Sequence, residues 1–149
     1  MENFKNILVA VDFNDAVGEL LSYAEGFAEK FGAKIWVVHV ASPDPDFVGY
    51  NTGPQYIRDF KAEDYREEHR NLQSICKTFL GEEVEKEALL IQGSTVETVL
   101  KEAEKLKADI LIVGTHKHSF LYNLLQESVA LELLKRANLP ILTIPVEEK

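Results

Sequence analysis

Cysteine, positive charge and long apolar runs are all scarce in this sequence, and each scarcity excludes a class of protein. The one cysteine, Cys76, excludes an intrachain disulfide and fits a reducing, cytoplasmic setting. No apolar run reaches the roughly 20 residues that span a bilayer. The net charge of -9 argues against binding to nucleic acid or to an anionic membrane surface, since both require a basic face. The start, MENFKNILVAVD, lacks the basic segment that begins a signal peptide.

What the sequence does contain is a regular alternation of strand-like and helix-like segments. Apolar residues make up 46% of the 149 residues, enough for one continuous core, so we expect a single domain over residues 1–149. Runs such as ILVAV and ILIV are apolar nearly throughout, which is typical of strands covered on both faces of a parallel sheet. The predicted strands are residues 7–11, 35–40, 88–91, 110–113 and 141–144.

Helical patterns separate the predicted strands, and they cover residues 14–31, 57–80, 94–106 and 120–137. The resulting order βαβαβαβαβ predicts an α/β fold, in which helices cover both faces of a doubly wound, five-stranded parallel sheet. Gly32 suits a left-handed helix end. Ser94 and Glu97 have the spacing of a capping box at the start of the third helix. The Pro- and Gly-containing stretch 41–55 is predicted to be a functional or partner-facing loop.

Three residues at predicted strand ends mark the expected position of a binding site. In open α/β sheets, ligands bind beyond the carboxyl ends of the strands, where the strand order reverses. If the order is 3-2-1-4-5, this point lies between the first and fourth strands. Asp12 follows the first strand, Gly114 follows the fourth, and Val40 ends the second. We therefore expect these residues, distant in sequence, to border one crevice.

The whole chain resembles a single-domain universal stress protein. The resemblance is carried by KNILVAVDFND, IWVVHV, IQGSTVETVLKEAEKLKADILIVGTHKHS and SVALELLKRANLPILTIPV. It implies strand order 3-2-1-4-5, a Rossmann-like architecture, and a homodimer paired through the last strand near Ile141–Val146. An apolar strand at a sheet edge is a liability unless it is covered, which independently favours such pairing. Pro145 is expected to limit the length of that strand.

The nucleotide-binding branch of this family has the pattern G-x2-G-x9-G-S/T after the fourth strand. On this chain the first glycine corresponds to Gly114 and the closing serine to Ser128, which Val129 follows. Lys117 stands in place of the second glycine and Glu127 in place of the third. The resemblance implies that these positions hold phosphates.

By the same resemblance, Asp12 and the backbone of Val40 would contact ribose and adenine. The two departures from the motif weaken the phosphate half, because a residue with a Cβ in the left-handed region costs about 1–2 kcal/mol. Glu127 would also place a carboxylate near the phosphates, which Lys117 could offset by pairing. We therefore predict a non-enzymatic stress-response protein that binds adenine nucleotide weakly, as a monophosphate at most, or not at all. The alternative is a genuine AMP- or ATP-binding protein or a slow ATPase.

The histidines and the cysteine have simpler interpretations than metal binding or catalysis. His116 and His118 form an H-x-H pair that His69 could join as a third metal ligand, but exposed loop histidines are the favoured interpretation. His39 is predicted to be a hydrogen-bonded core residue and His69 to be half-buried. Cys76 lies within a helix among apolar neighbours and is predicted to belong to the core.

Other functional classes lack the residues that they require. Neither Ser94 nor Ser128 lies in the G-x-S-x-G elbow of a serine hydrolase. A phosphoacceptor receiver domain would need an acidic residue after the third strand and a lysine after the fifth, where this chain has Gln92 and Pro145. A nucleotide alpha-hydrolase would need a Ser-Gly-Gly loop after the first strand, which the sequence does not contain.

Overall fold

Strands and helices alternate along the chain in the predicted order. The structure is a computed structural model that describes residues 3–12, 16–41, 55–116 and 124–146, with 55–61, 116 and 124–128 described by their backbone alone. The elements are β1 Asn6–Ala10, α1 Val17–Phe31, β2 Lys34–Ala41, α2 Gln55–Phe79, β3 Lys86–Gln92, α3 Thr95–Lys105, β4 Ile110–His116, α4 Leu124–Arg136 and β5 Ile141–Val146. The α/β class predicted from the apolar runs is therefore confirmed.

All strands are parallel and form one sheet in the order β3-β2-β1-β4-β5, as predicted. The central strand β1 pairs with β2 from Asn6↔Lys34 to Ala10↔Val38. On its other side, β1 pairs with β4 through Ile7↔Ile110 and the two residues that follow. The direction of the strand order changes between β1 and β4, so the expected switch point lies at their carboxyl ends.

Successive residues of the central strand face opposite helical layers. Ile7 lies in a buried cluster that α1 and α2 cover, and Leu72 of α2 belongs to the same cluster. Leu8 faces the other way and packs with Val99 of α3 and Leu133 of α4. Each fully buried aliphatic side chain of this kind contributes about 1.5–3 kcal/mol by leaving water. The two-sided burial explains why these strands are apolar nearly throughout.

The fourth strand is longer than predicted. The sequence prediction ended the strand at residue 113 and placed Gly114 at the start of the phosphate-binding motif, but β4 continues to His116. Gly114 pairs with Ile144, and Thr115 with Pro145. The φ angle of Gly114 lies outside the left-handed range, so a glycine is not required there for backbone conformation. The prediction failed because neighbouring β5 supplies pairing that a local signal does not report.

The fifth strand also passes through the residue expected to shorten it. Leu111 donates its amide to the Pro140 carbonyl at 3.0 Å, so Pro140 and every second residue after it face β4. Pro145 therefore directs its nitrogen toward the outer edge of the sheet, where no donor is needed. The strand accordingly continues to Val146, and the expected limit at Pro145 is wrong.

Helix ends match the sequence prediction in most places. Gly32 adopts the predicted left-handed conformation with φ 64°, and its amide donates to the Ala28 carbonyl. Ser94 is the N-cap of α3, but its hydroxyl donates to the Glu97 carboxylate at 3.3 Å and caps no backbone amide. The prediction of a capping box is therefore wrong, because the Ser94 and Glu97 side chains hydrogen-bond to each other and not to backbone amides.

Residue 14, residue 120 and positions 42–54 of the predicted loop lie outside the described residues. Among the described helices, none is long and apolar enough to cross a membrane.

Candidate functional site

A cavity of about 260 Å³ lies at the carboxyl ends of β1 and β4, where the switch point was expected. Its lining comes from both helical layers and from four strands. The described residues that line it are Ala10, Val11, Asp12, Ala16, Leu20, Val38, Val40, Thr95, Val99, Val113, Gly114, Val129, Ala130, Leu133 and Val146. Three predicted site residues, Asp12, Val40 and Gly114, are thus brought together, and Val129 joins them.

Small residues keep the walls of the cavity apart. Ala16 precedes α1, Ala130 lies in α4, and both are buried against the lining. At Gly114, an added Cβ would stand 3.5 Å from Leu20 and 3.6 Å from Val146, which is ordinary van der Waals contact. The glycine is therefore tolerant of a small side chain, and its present effect is to leave strand backbone exposed to the cavity.

Most of the wall is aliphatic. Val38 and Val99 are fully buried, and Val113 and Leu133 are nearly so. Val40 borders the same space at the end of β2. An aliphatic wall beside exposed strand backbone suits a flat, weakly polar ring, because such sites combine apolar area with a few oriented polar groups.

The polar end of the cavity is formed by Asp12. Its carboxylate is 57% exposed and stands at the mouth, while the neighbouring His39 ring is only 15% exposed. His39 Nδ1 lies 2.8 Å from the Val11 carbonyl and 3.8 Å from Asp12 Oδ1. A carbonyl only accepts, so Nδ1 carries the hydrogen in this contact. The prediction that His39 is hydrogen-bonded is confirmed, but the residue is only partly buried and does not belong to either core cluster.

Among the described lining residues, Asp12 is the one charged side chain. The described wall therefore offers hydrogen-bond acceptors to hydroxyl groups but no cation to phosphates. The predicted phosphate-binding positions are only partly described. Glu127 and Ser128 lie at the fourth and fifth positions of α4, where their backbone alone is described. Lys117 lies outside the described residues.

The remaining sequence candidates lie elsewhere. Cys76 is buried in the core as predicted, and burial raises the pKa of its thiol to about 11, so it is a poor nucleophile at neutral pH. His69 is half-buried, as predicted, and its Nε2 donates to the Ala88 carbonyl at 3.2 Å. His116 ends β4, so the expectation that it lies in a loop is wrong, because the strand continues beside β5. His118 lies outside the described residues, and the alternative of a metal site at these histidines stays untested.

Sequence reasoning named four of the fifteen lining residues and missed eleven, among them Ala16, Thr95 and Ala130. Ala16 immediately precedes α1, Thr95 begins α3, and Ala130 lies within α4. Small or hydroxyl-bearing residues in these helical segments were the available signal. It also missed the position of His39 at the end of the β1–β2 ladder, which depends on the strand register.

The sequence profile of the universal stress protein family matches residues 3–145. The chain is 30% identical over 141 residues to a universal stress protein of Thermus aquaticus, encoded in the QAH/OAS sulfhydrylase 3' region, and the match covers 95% of this chain and 98% of the relative.

Solved structures share the fold. A universal stress protein in complex with cAMP superposes with a TM-score of 0.68 at 19% identity, covering 97% of this chain and 98% of the other. The Archaeoglobus fulgidus universal stress protein in complex with dAMP gives 0.62 at 21% identity, covering 96% and 99%. Since the family profile spans nearly the whole chain, this chain belongs to the universal stress protein family.

Proposed function

We propose that this protein is a non-enzymatic stress-response protein that binds an adenine nucleoside or its monophosphate in the switch-point cavity. The observation that carries the proposal is the cavity itself, which combines an aliphatic wall with one carboxylate at its mouth. Related proteins are described in complex with cAMP and with dAMP, which are both adenine monophosphates.

The base is proposed to lie against the aliphatic wall. Val38, Val99 and Val113 offer flat apolar contact, and the Val40 main chain lies at the same end. Asp12 is proposed to accept hydrogen bonds from ribose hydroxyls, because a carboxylate presents acceptors only and hydroxyls can donate to both of its oxygens. Hydrogen bonds to a charged group contribute about 1.5–3 kcal/mol each, enough to orient the sugar.

The phosphate end is proposed to disfavour a triphosphate. A volume of about 260 Å³ is below the roughly 300–1,000 Å³ of usual small-molecule pockets. The family motif would place glycine where this chain has Lys117 and Glu127. Glu127 is the fourth residue of α4, where its backbone alone is described. A carboxylate in place of the motif glycine is proposed to repel phosphate groups.

Calorimetry with adenosine, AMP and ATP tests this proposal. We expect adenosine and AMP to bind the wild-type protein and ATP to bind more weakly than AMP. The double substitution Lys117→Gly and Glu127→Gly should strengthen ATP binding by about tenfold, since it removes about 1–2 kcal/mol of strain and charge repulsion. Adenosine binding should not change, which makes it the internal control.

Two results would contradict the proposal. Tight ATP binding by the wild-type protein, with no gain in the double variant, would show that the loop accepts phosphates as it stands. An unchanged melting temperature with excess adenosine, AMP and ATP would exclude binding, because a ligand of the native state must raise its stability.

We also propose the absence of catalysis. Among the described residues that line the cavity there is no serine, cysteine, lysine or histidine that could act as a nucleophile or general base beside the ligand. Phosphate release from ATP that disappears in Asp12→Ala would contradict this proposal and favour a slow ATPase.

The lone buried Cys76 supports a reducing, cytoplasmic setting.

A homodimer paired through β5 completes the proposal. Ile141, Thr143 and Pro145 direct their main-chain groups to the outer edge of the sheet, because Pro140 and Leu142 face β4. Pro145 has no amide, so the best antiparallel register places Thr143 opposite its own copy. The Thr143 amides would then bond reciprocally, and each Ile141 amide would reach the partner's carbonyl at position 145.

A further inference from the structure

We propose that His39 is a positioning residue for ligand recognition, which holds the end of β1 so that Asp12 faces the ribose. This inference rests on the proposed function and deepens it. His39 is not among the described residues that line the cavity, and it is not part of the phosphate-binding motif. Its ring nevertheless contacts the carbonyl of Val11, the residue before Asp12.

The β1–β2 ladder ends two residues before Asp12. Its last paired residues are Ala10 and Val38, after which the Val11 amide still donates to the Val38 carbonyl at 2.9 Å. In a continuing parallel ladder, the Val11 carbonyl would next accept from the Val40 amide. The His39 ring occupies that place, with Nδ1 at 2.8 Å from the Val11 carbonyl.

Val11 is consequently held on both of its main-chain groups, by strand backbone on one and by the imidazole on the other. The peptide that links Val11 to Asp12 has little freedom, since the Val11 side chain is also buried with 5% exposure. The point at which Asp12 joins the sheet is thereby fixed, which limits the positions that its carboxylate can reach.

The same hydrogen also attracts the carboxylate. Asp12 Oδ1 lies 3.8 Å from His39 Nδ1, which is beyond hydrogen-bonding distance but close enough for electrostatic attraction. The His39 ring is largely shielded from solvent, while the Asp12 side chain is more than half exposed, so a partly buried ring stands beside a carboxylate that solvent reaches. Val40, the residue after His39, lines the cavity. The contact between His39 and Val11 therefore lies directly beside the proposed base-binding wall.

Comparing adenosine with 2′,3′-dideoxyadenosine isolates the interaction that Asp12 makes with the ribose. In calorimetry, the wild-type protein should prefer adenosine by about tenfold or more, as expected for hydroxyl groups that bond to a carboxylate. His39→Leu should lose most of this preference while its affinity for the dideoxy compound changes little. His39→Asn should recover much of it, because the Asn amide nitrogen can occupy the position of Nδ1.

A double-mutant cycle separates positioning from general damage. With Asp12→Asn as background, His39→Leu should cause no further loss of preference, since its effect is exerted through the carboxylate. The matched control is His69→Leu, which also removes a bond from an imidazole to a strand carbonyl, that of Ala88, but lies outside the cavity. It should lower stability and leave the preference unchanged.

The outcomes distinguish this inference from the proposed function. Wild-type protein that binds neither compound would overturn the proposed function, and the role of His39 with it. Wild-type protein that binds both equally would retain adenine binding in the cavity, but it would overturn the proposed contact between Asp12 and the ribose and, with it, the role of His39. A folded His39→Leu protein with the full wild-type preference, or His39→Asn with no recovery beyond His39→Leu, would overturn the inference alone.

Discussion

The two edges of the sheet are completed in opposite ways. At β3, Ile35 donates to the Glu85 carbonyl, so Ala88 and Leu90 direct their carbonyls outward. Both carbonyls accept hydrogen bonds from side chains of α2: His69 reaches Ala88 and the Tyr65 hydroxyl reaches Leu90. The helix therefore covers this edge and occupies the acceptors that another strand would use.

At β5 the outer edge is not covered in this way. Within the part of the chain that the structure describes, no side chain is hydrogen-bonded to the outward main-chain groups of Ile141 or Thr143. The helix before this strand also exposes Leu131 and Leu134, which are 55% and 51% exposed. Unpaired edges invite strand addition, so the difference between the edges favours β5 as the surface for a second copy of the chain.

The largest expected effect is on dimerisation, and it comes from removing a hydrogen-bond donor from the outer edge of β5. Thr143→Pro removes the amide at the centre of the proposed antiparallel register, and that amide faces away from β4, so the fold should persist. Losing two reciprocal bonds should weaken dimerisation by about thirtyfold or more. Sedimentation over a concentration range measures the change.

Ala88→Pro is the matched control for this substitution. It removes an outward amide from β3, the edge that α2 already covers, so the oligomeric state should stay that of the wild-type protein. Equal weakening by both substitutions, or a folded Thr143→Pro protein that dimerises normally, would show that β5 is not the interface.

A smaller effect is expected on the free energy of unfolding, and it comes from Cys76 in α2, the helix that covers β3. Burial raises the pKa of the Cys76 thiol to about 11, above the value of about 8.5 for an exposed thiol. The folded protein therefore keeps this proton where the unfolded chain loses it. The free energy of unfolding should fall as pH rises from about 9 to 11, by up to about 2 kcal/mol, and the full contribution is present below that window.

Urea unfolding at several pH values measures this slope, and Cys76→Ala provides the comparison. The variant should show a shallower decline over the same pH range, because its remaining groups titrate as in the wild-type protein. Parallel curves for the two proteins would contradict a buried, high-pKa thiol. Iodoacetamide should likewise modify native Cys76 slowly at neutral pH, since the thiolate is the reactive form.

The sheet was predictable because its strongest signals are long. The apolar runs at β1, β2 and β4 can be satisfied only by two covered faces, which leads to the class and, with the family resemblance, to the strand order. The ends of β4 and β5 were not predictable from local signals. Glycine and proline usually mark turns. Here Gly114 stays in the strand because it pairs with β5, and Pro145 stays in the strand because its nitrogen faces the outer edge of the sheet.

The candidate site likewise has a part that the sequence could predict and a part that it could not. Asp12, Val40 and Gly114 follow from the topology, since parallel strands bring their carboxyl ends to one side of the sheet. The role of His39 depends on register, because one residue of slip would remove the imidazole from the Val11 carbonyl. No pattern in a single sequence reports register at that accuracy.

The smallest expected effect is the loss of one bond at the covered edge. Burial and then the Glu68 carboxylate raise the pKa of the Tyr65 phenol, so it stays protonated and donates to Leu90 at neutral pH. Tyr65→Phe should lower the free energy of unfolding by about 1 kcal/mol. It should also increase concentration-dependent light scattering, because an acceptor of the β3 edge becomes available to other strands.

Tyr23→Phe is the control, because Tyr23 is 49% exposed on α1 and its loss should change stability by no more than about 0.5 kcal/mol. If Tyr65→Phe matched this control in both unfolding and scattering, the hydroxyl would be dispensable. Protection of β3 would then rest on the bulk of α2 alone. If scattering rose while Thr143→Pro prevented dimerisation, the two edges would be shown to act independently, one kept from pairing by side chains and the other left available for it.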